Sequence, residues 1–184
     1  MQSMKVKELM IPLAEYTTVS ENATLREAVL ALEEAQKRVD VGRDKHRAML
    51  VLDKSGRVTG KLGMVDVVRG LEPKYRQVEE LKETSRYLFD PQFIRSLMQS
   101  HGLWRKPLDD LCRKAAEMRV KEIMHSPSEG ECVNAEASVN EAIHQLVVGR
   151  HPSLLVTKDQ EIVGIIRLVD VFKEISERIK VCEF

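Results

Sequence analysis

The chain contains two copies of one sequence pattern, and this internal repeat constrains its fold more than any other feature. Three blocks return in the same order with matched apolar positions between them. Residues 6–10 (VKELM) return as 120–124 (VKEIM), residues 24–28 (TLREA) as 138–142 (SVNEA), and residues 60–67 (GKLGMVDV) as 164–171 (GIIRLVDV). A repeat of this length describes one supersecondary unit that buries its apolar face against its copy. We therefore expect two similar halves, with function located where they meet.

The composition favours a soluble globular protein without nucleic acid or membrane as a partner. Of the 184 residues, 43% are hydrophobic and 32% are charged, which is typical of such proteins. The 29 basic and 29 acidic residues give a formal net charge of +0, so no sequence-wide field attracts nucleic acid or an anionic membrane. The N-terminus lacks the apolar run of a signal peptide, and no apolar stretch is long enough for a membrane span. We expect a cytoplasmic protein.

No pattern in the sequence is typical of a catalytic or metal site. The three cysteines are far apart and the five histidines are scattered, whereas metal and redox sites need clustered ligands. We find no nucleophile with an adjacent base and no Gly-rich phosphate loop. The sequence therefore predicts a non-enzymatic protein with no catalytic residues, no metal site and no required cofactor.

Each copy predicts the element order β-α-β-β-α. Thr24 and Ser138 each precede a glutamate by three residues, which is the capping box that opens a helix. Apolar residues follow at helical spacing, and Gly149 stands where a left-handed residue would end the second of these helices. Two short apolar runs around a polar turn then predict a hairpin in each copy, followed by another helix near Met64 or Leu168.

The copies are separated by a longer segment than a simple linker needs. Helical spacing of apolar residues, with Pro91 and Pro107 at favourable starting positions, predicts two or three helices within residues 71–118. We therefore divide the chain into a first repeat (1–70), a helical insert (71–118) and a second repeat (119–184). A polar stretch at about residues 37–46 has no counterpart in the second copy and reads as a loop.

The repeated unit resembles the cystathionine-β-synthase (CBS) domain. The marks of the resemblance are the leading Val-Lys-Glu-Leu/Ile-Met, the Thr/Ser-x-x-Glu-Ala helix start, the hairpin, and the Gly-x-x-x-x-x-Asp block at the last helix. Two tandem copies resemble a CBS pair, or Bateman module. The resemblance implies an α/β fold in which two sheets pack face to face as a pseudo-twofold pair, with two clefts between the copies. It also implies a homodimer.

The resemblance points to candidate ligand residues in the last block. In CBS pairs that bind adenosine-containing nucleotides, this block reads Gly-apolar-x-Thr/Ser-x-x-Asp, where the aspartate accepts hydrogen bonds from ribose and the hydroxyl contacts phosphate. Asp66 and Asp170 match the aspartate, whereas Gly63 and Arg167 replace the hydroxyl residue. A carboxylate offers two acceptor oxygens to a diol, and a guanidinium fork suits phosphate. The sequence therefore favours the cleft at Arg167 and Asp170 as the better site for an anionic nucleotide.

Purely structural roles remain open for the same residues. An aspartate in the first turn stabilises a helix with or without a ligand, and Arg167 could equally form a surface salt bridge. Gly60 and Gly164 are interpreted as strand positions that permit close backbone approach. By analogy with the family alone, the base pocket is assigned to four residues on two short extended segments: Thr18, Val19, Val133 and Asn134.

Two functions follow as hypotheses. The first is a regulatory sensor that binds an adenine nucleotide or adenosyl ligand, such as AMP, ADP, ATP or S-adenosylmethionine, between its repeats. Such a module would signal to a regulated protein that the sequence does not identify, with the helical insert as the transmitter. The second is a dimerisation or assembly scaffold whose nucleotide clefts have lapsed, acting through the insert. The sensor is the leading hypothesis and the scaffold is its alternative, for which the loss of both Thr/Ser residues speaks.

Overall fold

The structure is a computed structural model that describes residues 4–37, 45–72, 74–75, 91–100, 102–103 and 105–181. The first half contains α1 (Val6–Leu9), β1 (Ile11–Pro12), β2 (Thr18–Ser20), α2 (Leu25–Lys37), β3 (Ala48–Leu52), β4 (Val58–Gly63) and α3 (Met64–Leu71). The insert contains α4 (Pro91–Ser100) and α5 (Leu108–Ala116). The second half contains α6 (Val120–Ile123), β5 (Cys132–Asn134), α7 (Val139–Val148), β6 (Ser153–Lys158), β7 (Glu161–Arg167) and α8 (Leu168–Val181). The predicted β-α-β-β-α order is therefore present twice.

The helix starts follow the predicted capping chemistry, but one helix end differs. The Glu27 backbone N–H donates to Thr24 Oγ1 at 3.2 Å, and the Thr24 N–H donates to Glu27 Oε2 at 2.7 Å. The prediction of a left-handed Gly149 is wrong, because its φ is −76° and the left-handed residue is Arg150, with φ 52°. The N–H groups of Arg150 and His151 close this end on carbonyls of the last turn, which is a Schellman motif.

Each half forms a small sheet from the same kind of pairing. In the first half β2 pairs parallel with β3, and β3 pairs antiparallel with β4. In the second half β5, β6 and β7 repeat this arrangement. The second sheet gains a fourth strand at its edge, because β1 from the N-terminal segment pairs antiparallel with β7. The two sheets are thus equivalent in topology but unequal in strand number.

The leading segment of each half packs into the other half. The Val6 N–H donates to the Ala137 carbonyl at 3.0 Å, and the Val120 N–H donates to the Ala23 carbonyl at 2.9 Å. The side chains of Val6 and Val120 are fully buried in the core of the opposite half. Lys61 and His125 exchange two backbone hydrogen bonds in a single bridge that mirrors the pairing of β1 with β7. The two halves are therefore clasped by an exchange of segments.

Gly60 and Gly164 make this exchange possible by allowing close backbone approach. A Cβ atom at Gly60 would lie 2.7 Å from the His125 carbonyl oxygen, and one at Gly164 would lie 2.5 Å from that of Ile11. Side chains larger than hydrogen are therefore excluded at both positions unless the backbone moves. This confirms the sequence interpretation of these glycines as positions of close approach.

Three apolar clusters hold the fold together. Two of them lie between each sheet and its helices, and they include the exchanged residues Val6 and Val120. The third lies in the seam between the sheets, where Leu50 of the first half meets Leu155 and Ile165 of the second, with Tyr16 beside them. Alternation along the strands sends neighbouring residues to opposite clusters: Leu155 faces the seam while Leu154 and Val156 face the helices. The two sheets therefore pack face to face.

The insert lies against the first half. Leu111 and Ala115 on α5 are buried, and Ala115 joins the helix-facing core of that half. Leu108 at the start of α5 remains exposed. The Lys74 ammonium donates to the Gly102 carbonyl at 3.2 Å, which ties the turn between α4 and α5 to the end of α3. Residues 76–90 of the predicted helical insert and residues 38–44 of the predicted polar loop lie outside the described residues.

We expect Gly164→Ala and Gly60→Ala to destabilise the protein by about 1–3 kcal/mol each, because the added methyl group forces the exchanged segments apart. Urea unfolding followed by circular dichroism measures this change. Gly130→Ala is the matched control, since a Cβ atom there meets nothing within 4 Å. Equal midpoints for all three variants would show that the exchange does not depend on these glycines.

Candidate functional site

The first of the two aspartates that end the repeated Gly-x-x-x-x-x-Asp block lies at the start of α3 and is almost fully buried. Asp66 has a relative exposure of 8%. Its Oδ2 accepts a hydrogen bond from the Gly63 N–H at 2.8 Å, and its Oδ1 lies 3.5 Å from the Arg69 guanidinium. Because Gly63 has no side chain, the carboxylate caps the helix through the backbone alone. The expected contacts of Asp66 with ribose and of Gly63 with phosphate stay predictions.

A cavity of about 370 Å³ opens beside Asp66, between the first half and the exchanged segment of the second. Two cations, Arg69 and Lys121, share its wall with two carboxylates and with apolar groups. The Lys121 ammonium also donates to Asn22 Oδ1 at 3.1 Å. The full lining is Asp66, Arg69, Gly70, Met118, Lys121, Glu122 and Ile123. Such a wall suits a small ligand that carries hydroxyl groups, a negative charge and an apolar part.

The second aspartate lies at the start of α8 and is held by the residue that replaces the family's hydroxyl. Arg167 Nε donates to Asp170 Oδ2 and Arg167 Nη2 donates to Asp170 Oδ1, both at 2.6 Å. This is a bidentate pair, in which both oxygens of the carboxylate are engaged. Arg167 is only 8% exposed. The guanidinium therefore lies against Asp170 within the protein, and its expected contact with phosphate stays a prediction.

An aromatic pair from the first half stands beside this second aspartate. The rings of Tyr16 and His46 stack with centroids 4.2 Å apart and an interplanar angle of 24°. His46 Nδ1 lies 2.8 Å from Thr17 Oγ1. Burial raises the pKa of Tyr16 to about 12, against the opposing effect of Arg167, and burial with the charge of Arg167 lowers the pKa of His46. Both rings are thus favoured in their neutral forms near the Arg167–Asp170 pair.

Sequence reasoning did not assign Tyr16 to this site, and it considered His46 only as part of a basic loop cluster that either is solvated or lends charge to a nearby cleft. Tyr16 lies after the first repeated block, and His46 lies in the stretch that appeared to be an unmatched loop. The available signal was the exchange itself, which brings the segment after the first block next to β7 of the other half. An alignment of the two repeats does not show that β1 lies next to β7.

The residues assigned to the base pocket are spread over two strands. Val19 on β2 and Val133 on β5 are buried in the two helix-facing cores, so their side chains do not line the seam. Thr18 is partly buried, whereas Asn134 is exposed and its Oδ1 accepts a hydrogen bond from the Glu136 N–H at 2.8 Å. The structure therefore brings Gly63 to Asp66 and Arg167 to Asp170. The base-contacting role of the four strand residues stays a prediction.

A buried ionic cluster occupies the seam near the first aspartate. Lys61 on β4 lies 3.2 Å from Glu131 Oε2, and His125 Nε2 lies 2.6 Å from Glu131 Oε1. The side chains of Lys61 and Glu131 are 12% and 8% exposed. Burial by itself raises the pKa of Glu131, but the hydrogen bonds from His125, Lys61 and the Ser128 N–H and the charge of Lys61 lower it to about 2. The carboxylate is therefore ionised at neutral pH.

We expect Glu131 to make the protein sensitive to acid. The pKa of Glu131 is lower in the folded protein than in the unfolded chain, so its contribution is complete above about pH 5 and is lost as the pH falls towards 2. Between pH 6 and pH 3 the free energy of unfolding should fall by about 2 kcal/mol more in the wild type than in Glu131→Gln. Denaturant unfolding at each pH measures the difference. The exposed neighbour provides the control: Glu129→Gln should follow the wild type, and parallel curves for all three would contradict the assignment.

Within the part of the chain that the structure describes, no three His, Cys, Asp or Glu side chains gather as a metal site would require. No helix in those residues combines the length and the apolar character needed to cross a membrane.

Comparison with known proteins identifies the repeated unit. The family model of the CBS domain matches residues 6–73 and 120–177. No curated protein matches the chain significantly. Solved structures with the same fold include a CBS domain-containing protein from Kribbella flavida DSM 17836, with 22% identity, TM-score 0.56, and 94% of this chain and 98% of that chain covered. A CBS domain-containing protein from Bacillus anthracis str. Ames Ancestor has 18% identity and TM-score 0.61, with 96% of each chain covered.

A third similar structure was solved with a nucleotide. It is CBSX2 in complex with AMP, with 16% identity and TM-score 0.57, and the match covers 96% of this chain and 98% of that one. At these identities the three structures show a common fold.

Proposed function

The chain belongs to the CBS-domain family as a tandem pair, and from this premise we propose that it is a non-enzymatic regulatory module that binds an adenine nucleotide. The observation that carries the proposal is the cavity of about 370 Å³ beside the buried carboxylate of Asp66. This volume lies in the range of small-molecule sites, roughly 300–1,000 Å³. The AMP complex of the similar CBSX2 structure supports the choice of ligand.

The chemistry of the first cavity suits a nucleoside monophosphate. Each oxygen of Asp66 has one polar neighbour, Gly63 N–H or Arg69, and a carboxylate accepts about four hydrogen bonds in total. It therefore keeps the capacity to accept hydrogen bonds from a ribose diol. Arg69 and Lys121 supply positive charge for a phosphate, and Met118 and Ile123 supply apolar surface for a base. We propose this cavity as the principal nucleotide site, whereas the sequence favoured the cleft at Arg167 and Asp170.

The position of the cavity also supports a regulatory role. Its wall combines α3 of the first half with α6, which is the segment exchanged from the second half. Met118, just beyond the end of α5, joins the insert to the same wall. A ligand that fits one arrangement of these elements better than another would shift their packing. The insert is therefore placed to transmit occupancy to a regulated protein.

We expect AMP to bind the wild-type protein with a heat signal in isothermal titration calorimetry. Asp66→Asn should weaken binding by about tenfold or more, because an amide accepts fewer hydrogen bonds from the diol and adds donors of its own. The control is Asp110→Asn, which alters an exposed carboxylate on α5 and should bind as the wild type does. Absence of heat and of any thermal shift with AMP, ADP, ATP and S-adenosylmethionine at millimolar concentration would remove the proposal.

We further propose that the module is a homodimer formed through an exposed apolar ridge on each half. The ridge on α3 contains Met64, Val65 and Val68, with exposures of 55%, 68% and 51%. The ridge on α8 contains the equivalent Leu168, Val169 and Phe172, and continues through Ile175 and Ile179. Exposed apolar surfaces of this kind are typical of protein interfaces. Because the ridges are related by the pseudo-twofold symmetry of the repeats, a second copy can cover both with one twofold axis.

Phe172→Asp should convert the dimer to a monomer, because the new carboxylate would lose its water in the interface. Sedimentation velocity gives the mass directly. Leu108→Asp is the discriminating variant, since Leu108 is an exposed apolar residue of the insert and lies off both ridges. A dimer that survives Phe172→Asp and dissociates with Leu108→Asp, or with deletion of residues 72–118, would favour the alternative function of an assembly scaffold acting through the insert.

A further inference from the structure

We propose that Arg167 is an internal occupant of the second cleft, where its guanidinium takes the hydrogen-bonding positions on Asp170 that a ribose diol would need. The inference rests on the proposed nucleotide-binding function and restricts it, because it makes Arg167 a residue that excludes the ligand. On this proposal the two clefts differ in kind. The first takes a nucleotide, and the second is closed by the chain itself.

The geometry of the pair supports this assignment. Arg167 presents two guanidinium nitrogens to the two oxygens of Asp170 in parallel, each at 2.6 Å. A vicinal diol recognises a carboxylate by the same two-point arrangement, with one hydroxyl donating to each oxygen. The positively charged fork makes stronger, charge-assisted hydrogen bonds. A neutral diol is therefore the weaker competitor for the same acceptors.

The first cleft shows how the equivalent aspartate is held when no arginine occupies the position of Arg167. Gly63 holds the position equivalent to Arg167, and there the aspartate accepts one backbone hydrogen bond at 2.8 Å. The nearest guanidinium, that of Arg69, lies 3.5 Å from Asp66 and its side chain is 34% exposed. The side chain of Arg167 is 10% exposed. The cation beside the first aspartate is thus more exposed and farther from its carboxylate than the cation beside the second.

The surroundings of Arg167 oppose its displacement. Tyr16 is 6% exposed and stacks on His46, and this neutral pair from the first half stands against the ion pair. Tyr16 also belongs to the seam cluster, together with Leu155 and Ile165. A ligand that displaced Arg167 would leave a charged group without its carboxylate in a largely apolar setting, which is strongly unfavourable. The pair and its wall therefore form a closed unit.

The test is calorimetry with AMP on the full-length protein. The wild type should bind a single equivalent per chain, and Asp66→Asn should remove it. Arg167→Thr, which restores the hydroxyl of the family pattern, should add a second equivalent. The second cleft of this variant should bind AMP at least about tenfold more tightly than the second cleft of the wild type does. Adding Asp170→Asn to Arg167→Thr should remove that second equivalent. Arg178→Thr is the matched control, since it deletes an exposed arginine from α8, the helix that carries Asp170.

The outcomes separate this inference from the proposed function. The inference would be overturned if Arg167→Thr bound AMP more weakly than the wild type and the single variant Asp170→Asn did not bind it. Arg167 would then be a phosphate ligand. A wild type that binds one equivalent and an Arg167→Thr variant that gains nothing would also overturn it, while leaving the proposed function intact. A wild type that binds nothing and an Arg167→Thr variant that binds AMP would support the inference and contradict nucleotide binding at the first cleft.

A second measurement covers the case in which Arg167→Thr fails to fold. The Nε–H resonance of Arg167 in the wild-type protein, assigned by its loss in Arg167→Lys, reports the hydrogen bond to Asp170 directly. It should stay protected from exchange and keep its chemical shift at saturating AMP. A large shift or loss of protection on AMP addition would show that the nucleotide engages the guanidinium, and it would overturn the inference.

Discussion

The exchange of leading segments is the interaction on which the rest of the structure depends. Val6 and Val120 are each fully buried in the core of the opposite half, and burial of such a side chain stabilises a protein by about 1.5–3 kcal/mol. Backbone hydrogen bonds at both ends add direction to this apolar contact. Neither half can leave the other without exposing part of its own core. The seam between the sheets is therefore fixed, and so are the positions of the two clefts beside it.

On this symmetric frame, a few substitutions make the two clefts chemically unequal. The position after the repeated glycine is Ile165 in the second copy, where it joins the apolar seam, but Lys61 in the first copy. A lysine at a buried position requires a carboxylate, and Glu131 supplies it together with a hydrogen bond to His125. Two residues further on, Gly63 gives Asp66 only a backbone hydrogen bond, whereas Arg167 holds Asp170 in a bidentate pair. Duplication thus gives the frame, and divergence at the seam gives each cleft its own chemistry.

The sequence was sufficient for the elements and their order, but it did not contain the exchange. Capping residues and apolar spacing are local signals, so the helix starts at Leu25, Met64 and Leu168 could be predicted. The local sequence around Val6 does not show whether this residue packs in its own half or in the other, because both halves contain the same pocket. Arg150 was missed at a helix end because glycine is the usual left-handed residue. Tyr16 was missed because the exchange brings the segment after the first block next to β7.

The role of Arg167 illustrates why residue type identifies a capacity and only geometry identifies its use. A guanidinium fork fits phosphate and carboxylate equally well, and the sequence places both an expected phosphate and Asp170 within its reach. The burial of Arg167 favours the carboxylate over the phosphate as its partner. A buried arginine needs a permanent partner, whereas a ligand is present only part of the time. Asp170, three residues further along the chain at the start of α8, meets that need by accepting two hydrogen bonds. Arg69 differs in both respects, since it lies 3.5 Å from Asp66 and its side chain is 34% exposed.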